Sequence, residues 1–203
     1  MTGHLHVRWW LIWIVPVGLW TACGPTHVGY KAYVVPHYHV YDFLTKFDGE
    51  QQGYGMYTYV LFGRNVGTEA PALPRDVATR YQALLDAIES FTATRDAAKQ
   101  ADIPKQTINL FYIPVKDTAR RPTLDSYNST LATVYLSVAR GGIAADRRFA
   151  PKIDTGAGPF LISSLRPLNQ VRTPAPMLFA DLSATNPAAM GEVVAAYKQR
   201  LSQ

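Results

Sequence analysis

Three short stretches of this 203-residue chain place side chains at spacings that could do chemistry. In "PHYHVYD", residues 36 to 42, His37 and His39 stand two apart, so an extended backbone puts both imidazoles on one face, and Asp42 is an acid within reach to complete a metal shell. An exposed edge strand of polar and aromatic residues accounts for the same pattern, because a zinc site needs three or four ligands. In "FDGEQQGYG", residues 47 to 55, Asp48 and Glu50 lie among three glycines. Two carboxylates can share acid and base roles or hold calcium, but the further acids of a calcium loop are missing, and a turn explains the glycines. In "FADLSATNP", residues 179 to 187, Asp181 is expected at the C-terminal end of a strand with Ser183 just beyond it. Open α/β sheets collect ligands there, although Ser183, Thr185 and Asn186 also suit simple capping of the next helix.

Other chemistry is not written in the sequence. There is no Gly-x-Ser-x-Gly elbow, no His-Glu-x-x-His, no Walker phosphate loop and no Gly-x-Gly-x-x-Gly, so no metal is favoured and no cofactor is expected. The net charge of +5 is spread along the chain, and its densest basic spots are the two Arg-Arg pairs at 120–121 and 147–148. Neither is the basic run that nucleic acid requires, so nucleic acid is not an expected partner.

The elements that must position these residues follow from hydrophobic period. Residues 30 to 35, "YKAYVV", read as an edge or loop-flanked strand interrupted by Pro36. Residues 54 to 62, "YGMYTYVLF", are apolar on both alternating faces and read as a central strand. From Asp76 the period changes: Val77, Tyr81, Leu84, Leu85, Ile88 and Phe91 draw one helical stripe. "QTINLFYIPV", 106 to 115, reads as a second buried strand ending near Pro114. Leu124, Tyr127, Leu131, Val134, Tyr135 and Val138 make another helical stripe, with Gly141-Gly142 as its stop.

Residues 147 to 158 read as a surface loop, "PFLISSL" and "PMLFADLS" as two short strands, and Asn186-Pro187 as the start of a last helix buried through Met190, Val193, Val194, Tyr197 and Leu201. Strands alternating with helices predict an α/β fold: a single domain over residues 30 to 203, with a mixed β-sheet packed by about three helices. An α+β sandwich with its helices on one face is the alternative.

The N-terminal end has a different character. Arg8 precedes the uncharged run "WWLIWIVPVGLW", Trp9 to Trp20, which is twelve residues long and interrupted by Pro16, whereas a membrane-spanning helix needs about 20. A short apolar core between a basic flank and small residues reads as an export signal over residues 1 to 22. "TAC", Thr21, Ala22 and Cys23, resembles the end of a bacterial lipobox, with Trp20 in the position usually held by Leu. The resemblance implies cleavage before Cys23, lipidation of that cysteine, and, with Gly24 following it, residence at the outer membrane. It also accounts for a lone cysteine that has no disulfide partner. Residues 23 to 29 would then be a lipidated tether, and the mature chain would carry +4.

Two functions fit these expectations. One is a membrane-tethered envelope lipoprotein acting as a binding or assembly component, in the periplasm or at the cell surface, with an envelope protein as its partner. Its surface would draw on the tyrosines crowded between residues 33 and 59, among them Tyr38, Tyr41 and Tyr54. Core and sheet-face packing is the competing use of those rings. The other function is a periplasmic hydrolase with Asp181 and Ser183 near the "DGE" or His-x-His loops, which requires these segments to converge in space.

Overall fold

The computed structural model describes residues 35–63, 73–116, 121–143, 153, 156–171 and 176–202. All fall within one compact unit, Tyr33–Gln203. The signal, Cys23, the tether, most of "YKAYVV" and most of the 147–158 loop lie outside the described residues.

Six strands form one mixed sheet: β1 Tyr38–Leu44, β2 Met56–Leu61, β3 Ala93–Thr94, β4 Ile108–Pro114, β5 Phe160–Ser164 and β6 Met177–Asp181, in the order β3-β1-β4-β2-β5-β6. β3, β1, β4 and β2 are parallel, whereas β5 is antiparallel to both β2 and β6. The helices with bounds among the described residues are α1 Arg75–Phe91, α2 Arg95–Gln100, α3 Ser129–Ile143 and α4 Met190–Leu201. The fold is the expected α/β domain with a mixed sheet. Among the described residues, no helix is long and apolar enough to cross a membrane.

The helices divide between the two faces of the sheet. On one face, Tyr135 of α3 stacks on Tyr59 and Arg95 of α2 reaches Asp42. On the other, Tyr197 of α4 meets Ser163, and α1 packs against α4, with the Phe91 ring lying over Gly191. β2 and β4 are covered on both sides, which explains their continuous apolar sequences, and every residue of β4 is buried.

Several boundaries depart from the periodicity reading. The first strand begins at Tyr38, after Pro36, and it lies between β3 and β4, so "PHYHVYD" enters the sheet as an inner strand beside a two-residue edge. α3 starts at Ser129 because Asn128 caps it, its side chain accepting the Leu131 N–H at 2.9 Å. Leu124 and Tyr127 therefore precede the helix. Its buried stripe runs through the small Ala132 and Ala139, which leaves Val134 40 % exposed. The helix also continues through Gly141-Gly142 to Ile143, since glycine lowers helix stability by only about 1 kcal/mol per residue. Phe91 ends α1 and is largely exposed. Asn186 does cap, but it caps a 3-10 turn, Pro187–Ala189, that leads into α4.

The link between β1 and β2 positions the site. β4 lies between these two parallel strands, so residues 45 to 55 must cross its face, and they do so without an α-helix. A loop laid over a sheet carries peptide groups away from water, and each needs a partner. The tyrosines supply them.

Candidate binding cleft

The crossing loop is held from below by phenol hydroxyls. Tyr135 donates to the Phe47 carbonyl at 2.6 Å, Tyr112 accepts the Gln51 N–H at 2.6 Å, and Tyr57 accepts the Tyr54 N–H at 3.1 Å. Tyr59 donates to the Glu50 carboxylate, which also accepts the Leu168 N–H at 2.8 Å and the Asn169 N–H at 3.3 Å. Glu50 thus ties the loop to the turn that follows β5. Burial holds its carboxyl above the usual range despite these donors, and burial likewise pushes the Tyr59, Tyr112 and Tyr135 hydroxyls up. All four phenols are neutral donors and acceptors.

At its far end this loop walls a cleft of about 450 Å³. Gln51 and Tyr54 form one side, and α2 with the segment after it forms the other, presenting Arg95, Asp96, Lys99, Asp102 and Lys105. Ala98, Ile103 and Ile108 supply apolar lining. Gly55 closes the wall: its N–H donates to the Lys105 and Ile108 carbonyls at 3.1 Å, and a Cβ there would collide with the Gln106 carbonyl oxygen.

Charge in the cleft is unevenly satisfied. Arg95 holds Asp42 at 2.6 Å and Asp96 at 3.6 Å. Burial raises the Asp42 carboxyl more than this guanidinium lowers it. Lys105 places its ammonium 5.3 Å from the centre of the Tyr54 ring. Among the described residues, neither Lys99, Lys105 nor Asp102 forms an ion pair.

The residues singled out from the sequence do not converge. His39 and Asp42 stand on opposite faces of β1, so Asp42 cannot join the histidine. The His39 ring lies 3.5 Å from the Asn109 amide and 3.4 Å from the Ser202 hydroxyl, and among the described residues no group of acids, histidines and cysteines could hold a metal. His37 stacks obliquely on Tyr38 ahead of the strand proper. Asp181 is at the end of edge strand β6, as expected, but its Oδ1 accepts both the N–H and the hydroxyl of Ser183, which closes a local turn. Asp48 sits in the 3-10 turn Phe47–Gly49, and Glu50 alone of that pair turns inward.

The three tyrosines separate as well. Tyr41 is buried on the face opposite the cleft, Tyr38 is exposed at the sheet margin, and Tyr54 lines the cleft. The tyrosine-rich segment is therefore mainly an internal scaffold, because a loop crossing a buried face needs hydroxyls there.

The segment from Ala93 to Thr107, which makes the other wall, was not anticipated. Thr94 caps α2 by accepting the Ala97 N–H at 3.3 Å, and Asp96 and Lys99 suit the two ends of the helix dipole. Those cues are readable, but six residues that bury only Ala98 draw no apolar stripe. The chain matches no protein-family model, and no curated protein or solved structure matches it.

Proposed function

We propose that this chain is a lipid-tethered binding component of the bacterial envelope. Cys23 carries the anchor at the outer membrane, residues 23 to 29 form the tether, and the domain offers the cleft between Tyr54 and α2 to a ligand in the periplasm. The observation that carries the binding half is the cleft wall: four tyrosine hydroxyls are spent on holding residues 47 to 54 in place beside charges that the described residues leave unpaired. Rigid support of a wall is what a binding site needs, since ordering costs are then met on folding. The tether half is supported by the charge-free run before Cys23 and by the solitude of that cysteine.

Purification of the full chain from bacterial membranes, followed by mass spectrometry, tests both halves. The expected N-terminus is a diacylglyceryl-modified Cys23, with an envelope component co-purifying in a manner abolished by Lys99→Glu together with Lys105→Glu. An intact Met1 N-terminus would overturn the tether. Co-purification indifferent to the two lysines would overturn the cleft.

A further inference from the structure

We infer that the cleft takes a short zwitterionic peptide, an inference that rests on the cleft being the binding site. Once Arg95 is committed to Asp42 and Asp96, the charges left facing the cleft are the ammonium groups of Lys99 and Lys105 and the carboxylate of Asp102. A ligand bearing only negative charge would meet Asp102 unfavourably, and one bearing only positive charge would meet both lysines. A molecule with one charge of each sign satisfies all three.

Geometry adds detail at each end. Lys105 is already held over the Tyr54 ring, so the anion site is partly organised before a ligand arrives. Asp102 has φ 52°, a left-handed conformation that asparagine and aspartate enter more readily than other non-glycine residues. The turn it ends is closed by the Asp102 N–H donating to Lys99 and the Ile103 N–H donating to Ala98, both at 3.2 Å. Ala98, Ile103 and Ile108 add apolar lining suited to an aliphatic side chain. A volume of about 450 Å³ is in the ordinary range for small-ligand pockets and exceeds the needs of a single amino acid, so the fit is to a di- or tripeptide with an apolar middle.

The test is calorimetric titration of the full chain in detergent with Ala-Leu-Ala, its N-acetylated form, its C-terminal amide and the doubly blocked peptide. Saturable binding of the free peptide is expected, weakened about tenfold or more by either block, the loss of one charge-assisted contact. Asp102→Asn keeps a residue that tolerates the left-handed backbone. It should weaken the free peptide and remove the cost of acetylation, while Lys99→Ala with Lys105→Ala should remove the cost of amidation. Equal binding of free and doubly blocked peptide, lost in Tyr54→Ala, would overturn the zwitterion and leave the binding cleft standing. Absence of binding by every form would overturn the peptide inference. The co-purification experiment then decides separately whether the cleft binds anything else.

Discussion

On the face of the sheet beneath α2 and α3, tyrosine hydroxyls point up into a loop. On the face beneath α1 and α4, polar side chains reach sideways to one another. There Asn109 Oδ1 accepts the Thr58 hydroxyl at 2.9 Å, Thr58 meets Ser163 at 2.6 Å, and Ser163 meets Tyr197 at 2.8 Å, with His39 at the Asn109 end. This row spans β1, β4, β2 and β5, and its Thr58, Asn109 and Ser163 are buried. The row satisfies itself and lines no part of the cleft between Tyr54 and α2. Both faces bury polar groups at similar depth, but only one spends them on a wall that meets solvent. Burial of polar groups is therefore a poor guide to function here; what the groups hold is a better one.

The largest difference between the two faces is expected at Glu50. Glu50→Ala strands the Asn169 amide and the Tyr59 hydroxyl proton, leaving the Leu168 amide only its bond to the Tyr59 oxygen, and should cost about 3 kcal/mol or more in urea denaturation. Glu50→Gln, which keeps one acceptor, should cost clearly less. On the opposite face, Thr58→Val removes the hydroxyl between Asn109 and Ser163 while keeping the shape, and should cost about 2 kcal/mol. Binding at the cleft should survive Thr58→Val and suffer in Glu50→Ala.

The two faces should also answer pH with opposite signs. Burial raises the carboxyls of Glu50 and Asp42, so the folded chain takes up those protons before the unfolded one, and their contribution to stability grows as pH falls through the raised values. His39 is lowered from 6.5 to about 4, first by burial and then by Lys198 and His37, so the unfolded chain protonates first and stability is lost as pH falls from 6.5 through about 4. Melting temperatures from pH 7 to 4 should show His39→Gln losing less stability on acidification than the parent, and Glu50→Gln losing more. The smallest effect is expected at Asp181→Ala, about 1 kcal/mol or less for a surface turn, with ligand binding unchanged. A loss of binding without a loss of melting temperature would return Asp181 to the list of site residues.

How much of this was legible in the sequence depends on what each residue had to signal. β2, β4 and α1 announce themselves because continuous or 3.6-period burial writes itself into residue type. The cap at Asn186 is readable for the same reason: the chemistry is local. The crossing loop is not, because its need for tyrosines arises from β4 entering between β1 and β2, an event encoded some 50 residues downstream of the loop. The same tyrosines look like an interface when only their crowding is seen. Glu50 was visible as half of an acid pair, but its partners, Tyr59 apart, come from the turn after β5. The charged wall at Lys99 to Lys105 reads as ordinary solvated charge until the loop is set opposite it.

Amide hydrogen exchange across residues 47 to 54 reports whether phenol hydroxyls hold the cleft wall. In Tyr112→Phe with Tyr57→Phe, which keep both rings in the core, the Gln51 and Tyr54 amides lose their acceptors. They should exchange about tenfold faster or more, while amides of β4 stay protected. Exchange at Gln51 and Tyr54 unchanged from the parent would contradict support by the hydroxyls, and would mean that the wall stands without the tyrosines beneath it.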